Sequence, residues 1–79
     1  MPTVLRQAGF VVMIYTRDHE PAHVHVFGHG EIIVNLGNEE TPVSIRRNFG
    51  MRSRDERRAL MLIGEYQEYL LERWREIYG

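Results

Sequence analysis

The apolar residues of this 79-residue chain change their period once, at Ser53, and that change divides it into a strand half and a helix half. Before it, "TVLRQ" and "FVVMIYT" flank Ala8-Gly9, while "AHVHVF" and "EIIVNL" flank Gly28-His29-Gly30. Both connections have the glycines that hairpin turns require. After it, Ala59, Ile63, Tyr66, Leu70, Trp74 and Ile77 recur at steps of three and four, which is one apolar stripe of a helix. "SRDE" at Ser53–Glu56 has the form of a capping box. The spacing predicts one helix over about 54–78, roughly 36 Å long at 1.5 Å per residue. Between the halves, Pro42 argues against a central strand. The expected layout is a single domain, 1–79, with strands within 3–36, an irregular segment 37–52 and that helix.

Hairpin registers then decide which residues share a face. A turn at Gly28–Gly30 sets Phe27 opposite Glu31, His25 opposite Ile33 and His23 opposite Asn35. The other parity pairs Val26 with Ile32, Val24 with Val34 and Ala22 with Leu36. Carried across the loop that holds Pro21, the same register brings Ile14 to Val24 and Val12 to Val26. One face is therefore apolar throughout: Leu5, Phe10, Val12, Ile14, Val24, Val26, Ile32, Val34 and Leu36. It must take the helix stripe, which makes the fold α+β, an antiparallel sheet of about four strands packed against a long C-terminal helix. The opposite face carries Val4, Arg6, Val11, Met13, Tyr15, His23, His25, Phe27, Ile33 and Asn35. That face is too apolar to be left in water, so it is expected to meet a partner. Met13, Tyr15, His23, His25, Phe27 and Ile33 are the expected interface residues.

Composition narrows the chemistry. A chain this short buries only about 60–65% of its unfolded surface and gains from a partner, a metal or very good packing. Cysteine is absent, which removes disulfides and thiolate chemistry. No apolar run approaches the roughly 20 residues of a membrane span, and "MPTVLRQAGF" lacks a signal-peptide layout. A soluble cytoplasmic protein without a membrane partner is the expectation. All ten basic residues are arginine, and six of them (Arg46, Arg47, Arg52, Arg54, Arg57 and Arg58) fall in one stretch. Arg54, Arg57 and Arg58 open the helix, where positive charge opposes the macrodipole. Forked guanidinium groups beside helix N-terminal amides suit nucleic-acid phosphates. An exposed network with Asp55 and Glu56 fits the same residues.

All four histidines lie in "DHEPAHVHVFGHG". His23 and His25 share one face of one strand, about 6–7 Å apart along the chain. Neutral imidazoles at that spacing can share a metal, with Asp18, Glu20 or His19 supplying a further ligand. With Glu20 nearby, the same pair can act as general acid and base on an RNA phosphodiester, helped by Arg6, Arg17 or Arg46. They can equally be amphipathic residues of a protein interface. His29, at a turn tip, reads as an exposed turn residue. No cofactor is assigned, and no metal is assigned beyond these candidates.

The residues also carry a resemblance. "MPT" at the start, "EPAHVHV" at Glu20–Val26 and Trp74 in "LLERWREIYG" make the chain similar to the bacterial domain of unknown function family 4160. Members usually have Pro where this chain has Ala22. The resemblance implies a small prokaryotic protein often encoded beside a second small domain, of unknown function family 2442. The leading expectation is thus a toxin–antitoxin-type component acting by protein association, as a homo-oligomer or with its genomic neighbour, RNA cleavage or RNA binding being left open. The alternatives are a non-catalytic nucleic-acid-binding regulator using the Arg46–Arg58 cluster and a His-based metal-binding module.

Overall fold

The structure, a computed structural model, describes residues 3–78. Five strands come first: β1 (Thr3–Gln7), β2 (Phe10–Met13), β3 (His23–Phe27), β4 (Glu31–Asn35) and β5 (Ser44–Phe49). Two helices follow, α1 (Ser53–Glu65) and α2 (Gln67–Tyr78). The strands form one antiparallel sheet in the order β1-β2-β3-β4-β5, so each strand pairs with its neighbours in sequence. Class α+β is confirmed, and so is the central register: His23 faces Asn35, Val24 faces Val34 and His25 faces Ile33. Val12 meets Val26 in the next ladder. Ala8 and Gly9 both have positive φ (54° and 84°), as a two-residue hairpin turn of matching twist demands. Val12, Ile14, Val24, Val26, Ile32, Val34 and Leu36 form one fully buried core with Ala59, Ile63 and Leu70 of the helices.

Four details depart from the sequence reading. The sheet has five strands, because Ser44–Phe49, inside the segment expected to be irregular, pairs with β4. Pro42 precedes this strand instead of interrupting it. β5 is an edge, almost wholly exposed, so it has no buried face to impress a period of two on its sequence. Second, the C-terminal segment is two helices. Tyr66 leaves helical geometry (φ −105°, ψ 16°), and its N–H is shared between the carbonyls of Leu62 and Ile63. One straight helix of about 36 Å would outrun a molecule whose longest extent is 33 Å. After the break, the Gln67 amide donates to the carbonyls of Leu36, Asn38 and Thr41, tying α2 to the chain beyond β4.

The capping box does not form. Arg52 is the N-cap, without a side-chain cap bond, and Glu56 instead accepts from Asn48 Nδ2 at 2.7 Å. Asn48 also bonds the Met51 backbone in both directions, which shapes the entry to α1. Finally, a register shift between Thr3 and Leu5 turns Val4 into the core, where the sequence had placed only Leu5. Leu5 is partly buried against the same core.

One glycine marks where the sheet meets the start of α1. Gly30 has φ +128°, and a Cβ there would lie 2.6 Å from the Met51 amide nitrogen. Gly9, at φ +84°, has open space around it. Gly9→Ala should therefore cost only the left-handed backbone penalty of roughly 1–2 kcal/mol. Gly30→Ala must add a backbone clash and should lower the melting temperature clearly further. Thermal unfolding followed by circular dichroism compares them, and equal losses would contradict the close packing at Gly30.

Candidate metal centre

β3 is the middle strand, and its parity sends Val24 and Val26 to the helices and His23 and His25 to the other face. Both histidines are nevertheless buried, at 5% and 8% exposure. Their cover comes from the chain itself, through the connection between β2 and β3. Asp18 closes a turn there: the Tyr15 N–H donates to its Oδ2 at 3.1 Å, and its own N–H points back to the Tyr15 carbonyl. The last turn of α2 clamps this turn. The Tyr78 hydroxyl accepts from the Asp18 N–H at 2.8 Å and donates to the Tyr15 carbonyl. One turn earlier, Trp74 Nε1 donates to Glu20 at 2.7 Å, and its ring lies 5.3 Å from that of His23. Tyr15 packs edge-on against His25, with ring centroids 4.3 Å apart.

Asp18, His23 and His25 place one donor atom each within 4.8 Å of one another. His23 Nε2 is 3.4 Å from Asp18 Oδ1, and His25 Nε2 is 3.3 Å from Oδ2. The remaining ring nitrogens also face oxygen: His23 Nδ1 the Pro21 carbonyl at 3.0 Å, and His25 Nδ1 the Glu31 carboxylate at 3.3 Å. A carbonyl and an ionised carboxylate only accept. Protons on both Nδ1 atoms satisfy Pro21 and Glu31 and leave both Nε2 lone pairs aimed at Asp18. Such an arrangement asks for positive charge between the three groups. Two extra protons can supply it, as two imidazolium rings 5.5 Å apart, or one divalent cation can supply it without like-charge repulsion. Burial, reinforced by the negative charges of Glu31 and Asp18, raises the Tyr15 pKa above its ordinary value. That phenol stays neutral beside the cluster.

The other candidates disperse. Glu20 is committed to Trp74, and His19 is exposed, so neither joins the donor set. Met13, Phe27 and Ile33 are half-buried on the histidine face. Arg46 and Arg47 belong to β5, whereas Arg54, Arg57 and Arg58 belong to α1, on the far side of the sheet. Arg58 pairs with Asp55 at 3.1 Å, donates to the Ala8 carbonyl and covers the Phe10 ring. Arg46 Nε donates to Asn35 and a second guanidinium nitrogen to the Pro21 carbonyl, the acceptor that also holds His23. Sequence reasoning missed Glu31, Tyr78 and the link from Trp74 to Glu20. Glu31 was within reach of it, since the expected register sets it diagonally from His25. The aromatic contacts were not, because they join residues more than fifty positions apart.

A family model described as "Domain of unknown function (DUF4160)" matches residues 9–75. The chain belongs to this family. The matched span holds Asp18, Glu20, both buried histidines and Trp74, while the N-terminal "MPT" falls outside it. No curated protein and no solved structure matches the chain. No helix among the described residues is long and apolar enough to cross a membrane.

Tyr78→Phe tests the clamp. It leaves the ring in place and strips a partner from the Asp18 amide and from the Tyr15 carbonyl, which should cost about 1–3 kcal/mol. The Asp18 amide should also exchange its hydrogen faster, and unchanged exchange would show that α2 does not hold the turn.

Proposed function

We propose that this protein is a divalent-metal-binding module, its ion held by Asp18 and by Nε2 of His23 and His25. The observation that carries the reading is the convergence of two Nε2 atoms on one carboxylate while each Nδ1 is held by an oxygen behind it. Metal-bound histidines characteristically donate their second ring N–H to a carbonyl or carboxylate, which sets tautomer and ring orientation. Pro21 and Glu31 occupy those positions. Bonds of about 2.0–2.1 Å in a tetrahedron put neighbouring ligand atoms roughly 3.4 Å apart. Measured to Asp18 Oδ1 alone, both imidazole-to-carboxylate separations are 3.4 Å and match that edge, and the three donor atoms lie within 4.8 Å of one another. Two imidazoles with one carboxylate favour zinc or another first-row transition ion over magnesium or calcium. Three protein ligands also leave coordination positions for water or another oxygen ligand.

Isothermal titration of chelator-treated protein with zinc or manganese should show one ion per chain, with magnesium giving no comparable heat. Asp18→Asn, His23→Ala and His25→Ala should each abolish binding, whereas Glu20→Gln should retain it. Glu31→Ala should weaken it by about 10–100-fold, as loss of an outer hydrogen bond does. Affinity should fall as pH is lowered, because protons compete for the same two Nε2 atoms. At an ion concentration of 100 Kd the domain should gain about 2.7 kcal/mol, or roughly 10–20 °C in melting temperature. Absence of both heat and thermal shift with every transition ion would sink the proposal.

A further inference from the structure

We infer that the sheet face opposite the helices binds single-stranded nucleic acid, with one phosphate oxygen on the open position of the ion held by Asp18, His23 and His25. This rests on the metal reading for that one contact. The rest comes from the lateral order of the sheet. One row across it runs Arg6, Val11, Phe27, Glu31 and Phe49. The next runs Met13, His25, Ile33 and Arg47, and the one after it His23, Asn35 and Ser44. Aromatic and aliphatic surface thus lies directly beside the histidine cluster. Both helices pack on the other layer, and the end of α2 reaches round to His23 and Asp18 at one corner.

Charge complementarity selects the occupant. Arg6, Arg46 and Arg47 are exposed. Arg47 lies over the Phe49 ring, and among the described residues Arg46 bonds to the neutral Asn35 and Pro21 groups. The ion pairs among the described arginines belong to Arg58 and Arg73, on the helices. At the margin of the sheet face, beside Asn35 and Ser44, the Glu20 carboxylate accepts from Trp74, while those of Asp18 and Glu31 are turned toward the histidines. A bound ion would absorb their charge and leave the guanidinium groups unbalanced. Phe49 is 48% exposed and Phe27 half-buried, which offers bases a ring to stack on. A wholly apolar protein partner would leave these arginines desolvated and unpaired. A flexible strand gives them phosphates and gives the rings bases.

The test measures fluorescence anisotropy of labelled oligo-U and oligo-dT twelvemers, with a duplex as control, against zinc-loaded and chelator-treated protein. Zinc content is determined by calorimetry on the same samples. The single strands should bind with a log–log salt slope of roughly −3, about −0.7 for each phosphate held by Arg6, Arg46, Arg47 and the ion. Arg47→Ala should reduce the slope by about 0.7, and Phe49→Ala should weaken binding roughly five- to a hundredfold. Both side chains are exposed on an edge strand, and circular dichroism checks that the variants stay folded. Removing zinc should weaken binding and reduce the slope again. Protein that holds one zinc per chain yet binds neither strand at about 50 mM salt, where such contacts are strong, overturns this inference and leaves the metal centre standing. Protein that takes up no zinc overturns both. A dimer in light scattering that Phe49→Ala dissolves, without oligonucleotide binding, gives the face to a second copy of the chain and likewise overturns it.

Discussion

The alternation along β3 governs the rest of this molecule. It is the middle strand, hydrogen-bonded on both sides, so its residues cannot slip by one without exchanging faces. Val24 and Val26 are fully buried against the helices, and that burial commits His23 and His25 to the opposite layer. Apolar burial on one side therefore fixes the direction of two imidazoles on the other. Their spacing is set by strand geometry, which is stiffer than any loop. A donor pair placed in this way needs only one more group brought to it.

That group arrives through the helices. α1 and α2 fold back over the sheet because their apolar stripe has nowhere else to go, and the break at Tyr66 keeps both halves on a short molecule. The end of α2 then lies beneath the connection from β2 to β3, where Trp74 and Tyr78 hold Glu20, Tyr15 and Asp18. Helix docking and the position of the Asp18 carboxylate are thus one event. A weakened core would loosen the candidate site, because Trp74, a core residue, packs its ring 5.3 Å from that of His23. The two sides of the sheet are joined at this one corner, by aromatic side chains that carry both an apolar ring and a polar atom.

Much of this was legible in the chain. The change of period, the two glycine turns and the alternating valines predicted the class, the central register and the core face. The same parity argument put His23 and His25 together, with Asp18 as one of several nearby donors. What escaped was of two kinds. β5 carries exposed arginines on an edge, where no burial imprints a period. The helix break at Tyr66 and the Val4 shift are local adjustments of backbone to packing, and their residues are ordinary for the elements they interrupt. Choosing among Asp18, Glu20 and His19 was equally beyond the linear pattern, since all three sit in one turn with equal chemical claim.

Local preference and hydrophobic period, which act over a few residues, determined where the first four strands, their glycine turns and the helical segment run, and which way the side chains of β2, β3 and β4 point. Tertiary structure alone decided that Glu20 would be spent on Trp74 and that His19 would remain in solvent. It also decided that Asp18 would meet the histidines, and that the Arg46–Arg58 cluster would be divided between two layers. The physical reason is the same in each case. These outcomes depend on contacts between segments far apart in the chain, which exist only once the apolar face of the sheet has closed on the helices.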